Sequence, residues 1–348
     1  MKRIISVVLA AAMLLSITAL LSACGSSESV TVYNWGEYID ESVLDDFEEQ
    51  TGIKVNYKTF DTNEALYSML KTGGSDIDVI ITSDYMVGRL IKEGMVQKLN
   101  YDNIPNFSLV SDSLKNPNYD PDNAYSVPYM WGTVGIIYNT SMISDPVDSW
   151  GALFDPAYSG QIAMIDNSRD ALAIALLYLG YSVNTTDEAQ LNEAYELLVQ
   201  QKEIVQTYVM DQIFDKMETG EAAIGTYYAG DYLTMLENNP DLAFAWPKEG
   251  TTWFADAMCI PAASTRQENA EKFINFMTDT DICVRNMAQT GYASANGDAC
   301  EAYASELDED AYAIMFPDAA FLAGCEMFEN LPEETLALYD NLWTQLKS

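Results

Sequence analysis

A carboxylate set beside an aromatic ring, where a strand gives way to a helix, can hold an organic cation. Two stretches of this sequence bring the two residue types together, and polar or aromatic residues stand at the ends of several other apolar or helical runs. Trp35, Glu37 and Tyr38 follow the apolar run Ser29-Val30-Thr31-Val32-Tyr33. Ser83 and Tyr85 follow Ile77-Asp78-Val79-Ile80-Ile81, and Asn167 and Asp170 follow a strand over residues 161–165. Tyr228 closes an apolar run, and Phe254 and Asp256 fall two apart in another, hence on one face of a strand. Tyr292 follows a glycine at the end of a helical segment. An aspartate in an apolar strand is costly to bury unpaired, so Asp256 either caps a loop or awaits a cation. Each residue also has a plainer reading: Asp170 as a helix cap, Tyr228 and Phe254 as core, Glu37 as a solvated loop acid.

Composition narrows the chemistry. The chain has 53 acidic and 17 basic residues and no histidine. Two basic residues fall in the first 23, leaving 15 against 53 in the remainder. So acidic a body repels nucleic acid and favours a cationic ligand over an anionic one. Without histidine, Ser-His-Asp and Cys-His catalysis and histidine-ligated metals are excluded. No nucleophile elbow, phosphate loop or zinc motif is present. A hydrolase built on paired carboxylates stays a rival, though with so many acids some pair always looks catalytic. Asp120-Pro121-Asp122-Asn123 lacks the glycine and terminal glutamate of a calcium loop, so no metal site is assigned. After Cys24, none of Cys259, Cys283, Cys300 and Cys325 forms a C-x-x-C pair. The spacing leaves a Cys300–Cys325 bond open.

The elements that position these residues alternate. Strand, helix, strand, helix, strand, helix over the first hundred residues predicts a parallel sheet with helices on its faces. A second α/β block runs from about residue 150. Between them, residues 125–139 form a long apolar strand interrupted by Gly132 and Gly135, able to leave one lobe and enter another. Residues 253–261 predict a second crossing. At the N-terminus, Lys2 and Arg3 precede an apolar stretch that ends in Leu21-Ser22-Ala23-Cys24. That ending resembles the bacterial lipobox, which makes residues 1–23 a leader, Cys24 a lipidated N-terminus and residues 24–29 a tether.

Several motifs now align with one family. They are Tyr33-Asn34-Trp35-x-Glu37-Tyr38, Thr51-Gly52-Ile53-Lys54-Val55, Lys92-Glu93-Gly94-Met95, Pro128-Tyr129-x-Trp131-Gly132, Trp246-Pro247-Lys248-Glu249-Gly250 and Thr290-Gly291-Tyr292. In order and spacing the chain from Val30 onward resembles the spermidine/putrescine-binding proteins of bacterial ABC transporters. The resemblance implies a two-lobed, type II periplasmic-binding-protein fold with its ligand cleft between the lobes. One lobe would comprise residues 30–132 plus about 257–300, and the other residues 133–256 plus about 301–348. It implies a monomeric, lipid-anchored polyamine receptor outside the cytoplasmic membrane, serving an ABC permease and ATPase without a cofactor or enzymatic step. Its binding residues would be Trp35, Glu37, Tyr38, Ser83, Tyr85, Asn167, Asp170, Tyr228, Phe254, Asp256 and Tyr292. Tyr228 and Phe254 stand where many relatives carry tryptophan, Asn167 is an amide in place of an acid, and Asp170 is shortened from glutamate. A family carboxamide near the last helices falls around Met327 and Phe328, and no contact is assigned there. The lost acid at Asn167 shifts the expectation toward the two-charge ligand. The same fold holding another small solute, such as a sugar, is the alternative, and a lipoprotein that uses its lobes for protein contacts is a further one.

Overall fold

The computed structural model describes residues 28–73 and 76–348. The leader, the Cys24 lipidation and most of the 24–29 tether lie outside the described residues. Among the described residues no helix is long and apolar enough to cross a membrane.

The first block is built as its periodicity predicts. Strand β1 (Ser29–Asn34) leads into α1 (Ser42–Thr51), whose Val43 and Phe47 lie one turn apart and are both buried. Asp40 accepts from the Ser42 N–H at 3.0 Å, capping the helix start, and left-handed Gly52 closes its end. Strand β2 (Lys54–Thr59), α2 (Asn63–Lys71), β3 (Val79–Thr82) and α3 (Asp84–Lys92) follow. Strand β1 lies between β2 and β3 and runs parallel to both. The polar stretch beyond α3 forms short 3-10 turns rather than helices. Within it, Asp120 accepts from the Ala124, Tyr125 and Ser126 N–H groups and the Ser126 hydroxyl. Its carboxylate is thereby committed to a turn.

Strand β4 (Ser126–Asn139) joins the two halves of the molecule. Residues 126–133 pair antiparallel with β9 (Trp253–Cys259), whereas residues 134–139 pair with β7 (Ile224–Tyr228) and β8 (Leu242–Ala245). It is buried on both faces over most of its length, so its sequence reads as one apolar run without alternation. The second block holds β5 (Ile162–Ile165), α4 (Ser168–Leu179), α5 (Glu188–Lys202), β6 (Val205–Val209), α6 (Ile213–Glu218) and, after β7, α7 (Ala229–Asn238). Strand β5 runs parallel to β6 and β7. The resulting order is β2-β1-β3-β9-β4-β7-β5-β6. One apolar core gathers around Phe47 and Phe273 on the first sheet, and another around Trp150, Leu172 and Tyr339 on the second.

The sequence places the second crossing within residues 253–261. The structure places it earlier. Strand β9 pairs with β3 and with the first half of β4 along its length, so the passage between sheets occupies residues 246–252. After β9 come α8 (Gln267–Met277), α9 (Thr280–Thr290) and the short β10 (Ala293–Ser294), which pairs with the first half of β4. Three short helices follow, α10 (Gly297–Tyr303), α11 (Glu309–Met315) and α12 (Ala319–Leu322). The chain then bridges Glu326 to Thr252 and ends in α13 (Glu333–Lys347), packed against α5 and α4 of the second block. Cys300 and Cys325 are separate free thiols, each donating to a backbone carbonyl, of Ser294 and Phe321 respectively. The disulfide left open by the sequence is absent from the structure.

Helix α9 ends at Gly291 with φ +73°, and this left-handed turn delivers Tyr292 toward the seam between the sheets. A Cβ at residue 291 would lie 2.3 Å from the Gly230 carbonyl oxygen. Gly291→Ala is therefore expected to lower stability by about 1–3 kcal/mol. The urea midpoint should fall with little change in slope.

Candidate ligand-binding cleft

The carboxyl ends of the parallel strands in the two sheets face one another, the place where open α/β sheets bind ligands. Loops after β1, β2 and β3 supply Trp35, Phe60, Asn63, Ser83, Asp84 and Tyr85. From the opposite side, segments after β5, β6 and β7 supply Asn167, Asp170, Met210, Asp211, Tyr228 and Asp231. Antiparallel β9 enters beside the end of β3 and adds Trp253, Phe254 and Asp256. Together with Tyr38, Tyr227, Tyr292 and Phe328 they line a cavity of about 780 Å³ of empty space, part of it open to solvent.

Aromatic rings make its walls. Tyr38 meets Tyr292 edge-on at 4.9 Å between centroids, Tyr292 lies 6.0 Å from Phe254, and Phe254 lies 5.4 Å from Tyr228. On the first-sheet side Trp35 packs on Phe60 at 4.4 Å, and Tyr85 meets Phe328 at 5.9 Å. These edge-to-face and tilted contacts hold each ring in place in the cavity wall.

Four aspartates are buried in these walls. Asp170 accepts from the Tyr228 hydroxyl at 3.0 Å, and Asp231 from the Tyr292 hydroxyl at 2.8 Å. Asp84 accepts from the N–H groups of Tyr85 and Ala255. Asp256 is 3% exposed, and its Oδ1 has no hydrogen-bond partner among the described residues. The Tyr38 hydroxyl and the Trp35 indole N–H are likewise buried and unpartnered. No ion pair among the described residues involves any of the four aspartates. Burial accordingly pushes their pKa values up: to about 6 for Asp170, about 7 for Asp256, about 8 for Asp84, and well above the usual range for Asp231. The Tyr228 hydrogen bond moderates the rise at Asp170, and the Ser83 and Tyr38 hydroxyls lie near enough to Asp256 to moderate it there without a geometric hydrogen bond to Oδ1. Nearby Arg169 is buried but turned away, its guanidinium carbon 4.9 Å from the Tyr85 ring centroid and 4.6 Å from that of Phe328.

Ten of the residues singled out in the sequence line the cavity: Trp35, Tyr38, Ser83, Tyr85, Asn167, Asp170, Tyr228, Phe254, Asp256 and Tyr292. Glu37 does not. It adopts φ +48° and is exposed, so the loop turns Tyr38 into the core and leaves the carboxylate in solvent. Asn167 is committed elsewhere too: its Oδ1 caps α4 by accepting from the Arg169 and Asp170 N–H groups. That capping frees Asp170 from the role its position suggested. Asp84, Asp231, Asp211 and Tyr227 escaped the sequence reading, and Trp253 and Phe328, to which it assigned no contact, line the cavity as well. Their one shared signal was available for the acids: Asp84 and Asp231 sit in the first turn of a helix that directly follows a strand.

The sequence of this chain matches the model of the family described as bacterial extracellular solute-binding protein over residues 42–312. The chain belongs to that family. It is 33% identical over 333 residues to the spermidine/putrescine-binding periplasmic protein of Salmonella typhimurium, covering 94% of each chain. A solved structure from Listeria monocytogenes, assigned to spermidine/putrescine ABC transport, superposes with a TM-score of 0.88 at 36% identity, over 92% of this chain and 99% of that one. The spermidine/putrescine ABC transporter substrate-binding protein of Streptococcus pneumoniae, in complex with calcium and HEPES, gives 0.76 at 34% identity, again over 92% and 99%. The two-lobed architecture expected from the sequence is thus that of its relatives.

The raised carboxylate pKa values have a stability consequence with a definite sign. Folded Asp170, Asp256 and Asp84 hold protons more tightly than their unfolded forms, which titrate near 4. Their contribution is complete below about pH 4 and is lost as pH rises through about 6, 7 and 8. Chemical denaturation of the ligand-free protein should show stability falling over that window, and Asp256→Asn should flatten the decline around pH 7.

Proposed function

We propose that the protein captures a polyamine of the putrescine/spermidine class in this cleft and delivers it to the permease and ATPase of an ABC importer. Burial of Asp256 with an unpartnered carboxylate oxygen, in an aromatic cavity whose other aspartates also lack a cationic partner, carries the reading. A polyamine is a methylene chain bearing a strongly hydrated ammonium at each end. Its charges must find carboxylates to replace lost water, and its chain must find apolar surface. Asp256, Asp170, Asp84 and Asp231 answer the first need. Trp35, Tyr38, Tyr228, Phe254 and Tyr292 answer the second and add cation–π contacts of roughly 0.5–2 kcal/mol each. Two paired ammonium groups with a few such contacts reach micromolar affinity, about 8 kcal/mol. Nothing in this scheme requires a covalent step.

The lobes divide at the bend of β4, at residues 246–252 and ahead of the last helix, and they close on the ligand about these connections. The receptor works as a monomer, held at the outer face of the membrane by a lipid on Cys24. The relatives named for spermidine and putrescine support the ligand class, and the unpaired aspartates support its charge.

Calorimetry with putrescine and spermidine tests the reading, with sugars as the control series. Asp256→Asn is expected to weaken polyamine binding by roughly 10- to 100-fold, the worth of a hydrogen bond to a charged group. Trp35→Ala should weaken it by roughly 5- to 30-fold through lost stacking and chain contact, with the thermal midpoint of the ligand-free protein little changed. Saturable binding of a sugar with no polyamine response would overturn the assignment.

A further inference from the structure

The polyamine reading leaves the outer end of the ligand without an assigned partner, because Glu37 stands outside the cavity lining. The inference that follows rests on that reading. Beyond burial, which is the largest cause throughout, the cleft aspartates respond to different neighbours. Asp84 feels Asp256, and Asp256 feels Asp170. Asp231 instead feels Asp211 and Glu37, and Asp211 feels Asp61. The acids therefore form an inner set, Asp84, Asp170 and Asp256, and an outer set around Asp231, Asp211 and Asp61.

Asp61 and Asp211 line the cavity yet are exposed, which places them at its mouth. They come from opposite sides, Asp61 after β2 of the first sheet and Asp211 after β6 of the second. The Tyr227 hydroxyl donates to Asp211 Oδ1 at 3.0 Å. Asp211 Oδ2 lies against Gly36, where a Cβ would stand 2.1 Å from it. Residue 36 has no room for a side chain while this carboxylate holds its place. Neither acid takes part in an ion pair among the described residues. Tyr38 Oη and Asp256 Oδ1, both buried and without partners among the described residues, belong to residues that line the same cavity.

We propose that Asp211, seated on Gly36 and faced by Asp61, is the outer cation contact of the cleft and a specificity-determining residue that reads the second ammonium of the ligand. In the empty cleft two carboxylates from opposite lobes face each other across the mouth and repel. An ammonium between them replaces that repulsion with two attractions, so a ligand cationic at its outer end favours closure. A monoamine seated on the inner aspartates leaves the mouth uncompensated. The task that the sequence resemblance gives to Glu37 passes to Asp211 in this chain.

The test compares putrescine with butylamine, which has the same carbon chain and one ammonium, by calorimetry and thermal shift. The wild-type response to putrescine first checks the polyamine reading itself. No response there would overturn that reading and this inference with it, before any variant is compared. Asp211→Asn keeps the size and an acceptor for Tyr227, and is expected to lower putrescine affinity roughly 5- to 20-fold while leaving the butylamine response within about twofold. Glu37→Gln should change neither. Gly36→Ala, which pushes the carboxylate aside, should reproduce the Asp211→Asn loss, and the double variant should be no weaker than either single one. Unaltered putrescine affinity in Asp211→Asn would overturn the proposal while leaving the polyamine reading intact. So would an equal loss for both amines, since that is the mark of a purely structural role.

Discussion

The structure turns on carboxylates buried without cations. An ionised acid out of water costs several kcal/mol unless something replaces its hydration. In the cleft the replacements are partial: a tyrosine hydroxyl for Asp170, another for Asp231, two backbone N–H groups for Asp84, and no hydrogen bond at Asp256 Oδ1. Elsewhere the chain completes such pairings. Asp78 is as buried as these, yet it binds the Arg266 guanidinium, the Ser264 hydroxyl and the Thr31 N–H. Asp120 collects four donors in one turn. The contrast separates acids whose charge the fold pairs from acids whose charge it leaves unpaired.

What makes this shortfall tolerable is the geometry of strand ends. Asp84, Asp170 and Asp231 each occupy the first turn of a helix that follows a parallel or central strand, where unsatisfied N–H groups and the helix dipole favour negative charge. The helices support the charge without neutralising it. Protonation covers the remainder when the cleft is empty, which is why the three aspartates with moderate shifts titrate between about 6 and 8.

Much of this was legible in the sequence because strand-to-helix junctions leave strong local marks. The alternating blocks, the capped first helix and the long apolar β4 all follow from periodicity and turn residues. So does the placing of Trp35, Tyr85 and Tyr228 at strand-to-helix junctions and of Asp256 within an apolar strand. What escaped depended on directions that spacing does not carry. Whether Glu37 points into the cleft hangs on one left-handed φ. Whether Asn167 or Asp170 caps α4 hangs on which side chain reaches the free N–H groups. Asp84 and Asp231 looked like ordinary helix-start acids, and only burial distinguishes them. The passage ahead of β9 was displaced because the apolar run 253–259 is fully paired in one sheet, and the turn-rich residues before it make the connection.

Arg169 shows how a cation can sit beside the cleft acids without pairing with them. It is 1% exposed, one residue from Asp170, and close enough to favour the ionised forms of Asp84 and Asp170. An arginine so placed would ordinarily fork onto the nearest carboxylate. Here its guanidinium is held by rings instead: Tyr85 from the first block, Phe328 from the returning chain and Tyr339 from the last helix, with its carbon 4.6–5.1 Å from their centroids. Its Nη1 reaches only the Glu329 carbonyl, and Nε and Nη2 have no partner among the described residues. The cage satisfies the cation by cation–π attraction and withholds it from Asp170, whose carboxylate meets Tyr228 instead. Tyr85 and Phe328 also line the cavity, so the same rings serve both the chain's own cation and the cleft wall. Arginine suits this place because it stacks on aromatic faces and is weakly hydrated, whereas a lysine ammonium would seek the neighbouring carboxylates.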